Sequence, residues 1–146
     1  MTMRRKASGR FELPISAAEA IDYFTPEGER AWVPDWNPIY PTGDPSESSG
    51  TVFTTSAGGV DTVWVVHRVD RVGYSSAYSR ITVGHHAGTV HVRCEDLGSG
   101  RCAVAVEYDM TLLPGSDPSE LDAYDEPSFA GMMDEWATEV SRTLLA

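Results

Sequence analysis

The chain ends, over residues 118–146, in one long amphipathic pattern that nothing earlier repeats. Its apolar positions are Leu121, Tyr124, Phe129, Met132, Met133, Trp136, Val140, Leu144 and Leu145. From Phe129 onward they recur at steps of three and four, which places them on one face of a helix. Asp134, Glu135, Glu139 and Arg142 take the opposite face. Ser119 or Asp122 can cap its start, and Pro127 calls for a kink or for a short turn of helix ahead of the main one. The residues before it, 50–113, read as strands. A helix with so wide an apolar stripe, following strands, buries that stripe against the face of a sheet.

Residues 10–13 alternate as a first strand, extended back towards Ala7 and ended by Pro14. Ser16-Ala17-Ala18-Glu19 forms a capping box that opens a helix to Phe24, with Ala17, Ala20, Ile21 and Phe24 inward. Thr25-Pro26 starts a second short helix, proline at its first position, which carries Glu27 to Trp32 and stops before Pro34. Residues 35–49 are a loop broken by Pro38, Pro41, Gly43 and Pro45. That loop nevertheless holds Trp36, Ile39 and Tyr40, so it folds back over something apolar. Five β-branched and aromatic runs follow, at 51–56, 60–69, 74–83, 88–95 and 101–113, separated by short links, as in an antiparallel meander. A chain of 146 residues with no internal repeat is expected to form one domain over 1–146.

The last two strands allow a register to be predicted. Val90, Val92 and Cys94 in one, and Cys102, Val104, Val106, Tyr108 and Met110 in the other, are apolar at even numbers, with polar or small residues between. A slip of one residue would bury charges, so even must face even. This requires an odd-length loop, most simply the three residues Leu97-Gly98-Ser99, which sets Cys94 opposite Cys102, Val92 opposite Val104 and Glu95 opposite Arg101.

A strand, two short helices, a strand meander and a long final helix is the element order of the helix-grip fold. The chain resembles the START/Bet v 1-like (SRPBCC) superfamily, of the polyketide cyclase/dehydrase-like type. The likeness rests on Leu13-Pro14-Ile15-Ser16-Ala17, on Thr25-Pro26-Glu27-Gly28-Glu29-Arg30 with Trp32 and Trp36, and on the strand 106–113 before the final helix. It implies an α+β fold, β-α-α-β-β-β-β-β-α, with a curved antiparallel sheet wrapped around the C-terminal helix. It also implies a cavity between them for a small hydrophobic molecule. The residues expected to line that cavity are Trp32, Trp36, Tyr40, Trp64, Tyr78, Arg80, Val92, Val106, Tyr108, Met110, Phe129, Met132, Met133 and Trp136. Methionine and amphipathic rings suit such a lining. The bland alternative is that these side chains fill an ordinary core.

Function divides three ways. The first expectation is a binding protein for a small hydrophobic or aromatic ligand. The second is an aromatase/cyclase-type enzyme, which needs convergent polar groups deep in the cavity. The third is a regulatory or co-chaperone-like interaction module, with a filled core and a large exposed apolar patch. Arg80 and Tyr78 share a strand face; if that face is concave, Arg80 needs a partner or an anionic ligand group. Trp32, Asp35, Trp36 and Tyr40 form either an aromatic gate or a plug.

No catalytic residue, cofactor or metal is expected. His85-His86 reads as a solvated turn and His91 as outward-facing, too dispersed for a zinc site. Glu107 and Asp109 read as a charged outer face. Cys94 and Cys102 are expected as buried thiols. A net charge of −11 argues against nucleic acid and anionic membranes. Arg4, Arg5 and Lys6 precede no signal-like apolar stretch, and no run reaches membrane-spanning length. A cytoplasmic location follows as an expectation, with a homodimer left open.

Overall fold

Alternation along six segments becomes one antiparallel sheet. The computed structural model describes residues 3–145. The strands are β1 (Arg4–Leu13), β2 (Val52–Ala57), β3 (Val60–Asp70), β4 (Ser75–Thr82), β5 (His86–Gly98) and β6 (Arg101–Leu112), in the order β1-β6-β5-β4-β3-β2. Strands β2 to β6 are the expected meander, and β1 joins it at the far side by pairing with β6. Backbone pairing carries several strands beyond their alternating cores: β1 begins at Arg4 and β5 at His86.

Even still faces even in the β5–β6 hairpin, but by a different route. Cys94 lies opposite Val104 and Val92 opposite Val106. The turn is two residues, Ser99 and Gly100, both at positive φ (56° and 73°), which suits a tight hairpin. The register shift between Asp96 and Gly98 takes up the odd residue, Leu97, as a bulge. The expected three-residue loop, and the pairs Cys94–Cys102, Val92–Val104 and Glu95–Arg101, are therefore corrected. Cys102 faces Asp96, Glu95 faces Ala103, and Arg101 forms its ion pair with Glu12 of β1.

Helix α1 (Ala17–Ala20) is one turn, continued as a 3₁₀ turn over Ile21–Phe24. The Glu19 amide donates to Ser16 Oγ at 3.2 Å, and the Ala17 amide donates to Asp96 Oδ1 of β5 at 2.8 Å. A second 3₁₀ turn spans Gly28–Ala31. At the other end, Asp117 caps a 3₁₀ turn over Pro118–Tyr124, and Asp125 caps α2 (Glu126–Leu144), accepting from the Ser128 amide at 2.9 Å. These aspartates do the capping that the sequence assigned to Ser119 or Asp122. Pro127 sits in the first turn of α2, where no backbone N–H is needed, so it starts the helix and does not bend it. The end of the expected helix at 146 lies outside the described residues. No described helix is long and apolar enough to cross a membrane.

The seat of α2 on the sheet is narrow. Phe129, Met133 and Val140 are buried, each worth about 1.5–3 kcal/mol by removal from water. Beneath them β1 offers Gly9: a Cβ there would stand 2.6 Å from Met133 Cγ and 3.2 Å from Phe129 Cε2. The α2 backbone approaches β1 far more closely than it approaches the β2–β4 side of the sheet.

Two outcomes follow. Gly9→Val should lower stability in urea by about 1–3 kcal/mol through overpacking; an unchanged midpoint would mean that α2 is not seated on Gly9. Both cysteines are buried and free, and burial pushes the Cys94 thiol up to about 12. Thiol titration should find two slow groups in native protein and two fast ones in denaturant, whereas a disulfide in the protein as isolated would contradict this.

Candidate functional site

On the side away from β1, the space between α2 and the sheet stays open. The cleft measures about 370 Å³. Two aromatic groups wall it. Trp32 and Trp136 meet edge to face at 5.2 Å, and Trp136 reaches Tyr108 at 6.3 Å. Across from them Trp36 packs edge-on against Trp64 at 5.5 Å, and Trp64 stacks on Phe53 at 5.8 Å. Three of the indole N–H groups are already used: Trp32 Nε1 donates to Tyr23 O and Trp36 Nε1 to Pro26 O, each at 2.7 Å, and Trp64 Nε1 to Thr55 Oγ1 at 2.9 Å. These bonds pin the rings as a plug would while leaving their faces towards the cleft, so the gate and plug readings of Trp32 and Trp36 merge. A larger depression of about 490 Å³ lies on the convex face near His91 and Arg93. It lacks aromatic walls and is floored by the outer positions of the strands.

Of the expected lining residues, Trp32, Trp36, Trp64, Arg80, Tyr108, Met132 and Trp136 meet at the cleft. The others lie elsewhere. Phe129 and Met133 belong to the seat on β1; Val92, Val106 and Met110 are buried in the sheet core. The Tyr78 hydroxyl donates to Phe24 O at 2.7 Å, and that of Tyr40 to Glu27 Oε2 at 2.8 Å. Asp35 also lines the cleft. Glu135 and Glu139, assigned to the outer face of the helix, line the rim because the cleft opens along the flank of α2.

The open question about Arg80 is settled: it pairs with Trp64 across β3–β4 and lies on the concave face. Its guanidinium sits 4.9 Å from the centre of the Trp64 ring, a cation–π contact worth about 0.5–2 kcal/mol. Its Nε is buried with no hydrogen-bond partner. Opposite it comes Glu29, which the residue-by-residue reading passed over. Gly28 puts it there, since a Cβ on Gly28 would lie 1.5 Å from the Asp22 carbonyl oxygen and no other residue fits that turn. Burial pushes the Glu29 carboxyl up to about 8, and the positive charge of Arg80 opposes this only in part. The one available signal was its spacing three residues before Trp32, on the same face of a helical turn.

Nearby, burial raises Tyr108, with Arg80 pulling the other way. Thr62 and Thr82 share a buried hydroxyl hydrogen bond of 2.8 Å. The His85-His86 turn is not simply solvated. His85 Nδ1 bonds Glu120 Oε1 at 2.6 Å, while His86 turns inward with neither ring nitrogen hydrogen-bonded, its Nδ1 3.6 Å from the same Glu120 oxygen. Burial, and then Arg80, lower its pKa. Among the described residues no three His, Cys, Asp or Glu side chains converge as metal ligands do. Glu107 stays on the exposed convex face, and Asp109 pairs there with Arg4 at 2.5 Å.

No protein-family model and no curated protein matches this sequence. Solved structures do. Norcoclaurine synthase from Thalictrum flavum superposes with a TM-score of 0.67 at 13% identity, over 99% of this chain and 88% of that one. The same enzyme is also known in complex with dopamine and hydroxybenzaldehyde. Ara h 8.0201 gives 0.64 at 12% identity, over 99% of this chain and 100% of that one. DynU16, a putative protein in the dynemicin biosynthetic locus, gives 0.65 at 14% identity, over 97% of this chain and 48% of that one. The fold is thus the Bet v 1-like (SRPBCC) helix-grip fold, as the sequence resemblance implied.

A carboxyl whose folded pKa stands above its unfolded one gains protons on folding. It therefore supports the fold at low pH and withdraws that support as pH rises from about 4.5 towards 8. Glu29→Gln, which cannot ionise, should match wild type below pH 4.5 and become progressively the more stable up to pH 8. Denaturant midpoints across this range measure the effect; an offset independent of pH would show that Glu29 titrates like an exposed carboxylate.

Proposed function

We propose that the cleft binds a small hydrophobic or aromatic molecule between the sheet and α2. The observation that carries this is the unfilled space between two aromatic walls, Trp32–Trp136–Tyr108 on one side and Trp36–Trp64 on the other. Its volume of about 370 Å³ falls within the range of small-molecule sites. Apolar area drives burial of the ligand, the rings of Trp32, Trp36 and Trp64, already held by hydrogen bonds, lose little entropy on binding, and Arg80 orients one polar end. A structural neighbour that holds two small aromatic molecules supports the same reading.

A second reading is an aromatase/cyclase-type enzyme using the same cleft. It is favoured by the convergence of Arg80, Glu29 and Tyr108, the kind of polar cluster that a simple carrier does not need. Neither reading calls on a metal or cofactor. The open cleft weighs against the interaction-module reading, which requires a closed core.

Native mass spectrometry of freshly purified protein should reveal a co-purifying small molecule. Trp136→Ala should weaken uptake of an apolar dye by about tenfold or more, the loss of 1.4 kcal/mol or above that a buried aromatic anchor supplies. Lowered stability with unaltered dye affinity would remove the support for a binding cleft.

A further inference from the structure

We propose that the cleft selects a planar aromatic molecule bearing a single carboxylate, gripped by the unpartnered Arg80 guanidinium where Glu29 shares the lining. The inference rests on the binding reading above and names the ligand class for the same site.

Charge inside the cleft is unbalanced. A guanidinium keeps its positive charge in a protein. None of the ion pairs among the described residues includes Arg80, and its buried Nε–H has no acceptor. Glu29 is the carboxyl best placed to neutralise it, yet burial holds its pKa up to about 8 despite the attraction of Arg80. At neutral pH the floor of the cleft therefore carries one uncompensated positive charge beside one carboxylic O–H donor.

The other groups facing this pair do not restore the balance. Tyr78 of β4, Tyr108 of β6 and Tyr124 are all shifted up by burial and stay neutral. His86 of β5 is shifted down by burial and stays neutral as well. Asp35, Glu135 of α2 and Glu139 of α2 stand at the rim, where solvent screens them. An incoming carboxylate completes the set. It accepts from the guanidinium with one oxygen or both and from the Glu29 O–H with a remaining lone pair, while its flat body slides between the tryptophan faces. Binding also draws the proton more firmly onto Glu29, since two carboxylates side by side cannot both ionise cheaply.

Because Glu29 must be protonated, affinity is tied to pH. Above about 8 its carboxylate pairs with Arg80 and repels the ligand. The test is isothermal titration calorimetry of the whole protein with 2-naphthoate and its neutral analogue 2-naphthalenemethanol, from pH 6 to pH 9. At pH 6 the carboxylate should bind at least tenfold more tightly than the alcohol. Between pH 7 and pH 9 its affinity should fall about tenfold, the drop in protonated fraction for a group titrating near 8, while that of the alcohol stays level. Glu29→Gln should flatten the pH profile for 2-naphthoate, and Arg80→Met should bring the two probes to equal affinity.

Equal binding of both probes by wild type would overturn the anion preference and leave the binding reading standing. Failure of both probes to bind would overturn both. A pH slope that persists in Glu29→Gln, or a preference for carboxylate that persists in Arg80→Met, would overturn the role given to that residue and the proposal with it.

Discussion

A helix can lie close against a strand only where the strand offers no side chain in its path. Here that place is Gly9, under Met133 and Phe129. The contact pins α2 to the β1 edge of the sheet, and the rest of the concave face is left at a distance that side chains must bridge. Trp136 and Met132 reach part of the way and Trp64 rises from the other side, but they do not fill the gap. The cleft is thus the consequence of a one-sided seat. It follows from where the smallest residue of β1 falls, and large side chains are present on both of its walls.

Its polar floor follows from a second constraint, that a buried charge costs free energy unless something compensates it. Arg80 has an aromatic face beneath it and an unsatisfied Nε. Glu29, held half-buried by the tight turn at Gly28, forms no ion pair with Arg80 among the described residues. A core selected for stability alone would place apolar groups at both positions. Arginine and glutamate here mark a place where local rules of stability give way, as they do at sites that handle ligands.

Much of the fold was legible because it is written in periodicity. The helical stripe from Phe129 to Val140 and the even-numbered strand positions have one reading each, and element order did the rest. Hairpin register was less legible: parity excludes a one-residue slip, but it cannot tell a three-residue loop from a two-residue turn plus a bulge at Leu97. The cleft was half legible. Sequence ranks residues by apolar character, and that does not separate Phe129 and Met133, which touch β1, from Met132 and Trp136, which face open space. The face of Arg80 could not be chosen from a strand reading Tyr, Ser, Tyr, Arg on one side and Ala, Ser, Ile, Val on the other. Glu29 was harder still, since its place depends on a backbone contact between Gly28 and Asp22 that leaves no trace in hydrophobic pattern.

All four tryptophans of the chain, Trp32, Trp36, Trp64 and Trp136, border this single cleft. The protein's near-ultraviolet emission is therefore concentrated on the walls of one chamber, with a cation resting on one of the indoles. An occupant of the proposed kind would change the polarity around every indole fluorophore at once. Filling of the cleft would then register in the protein's own emission, with no dye attached and no residue replaced.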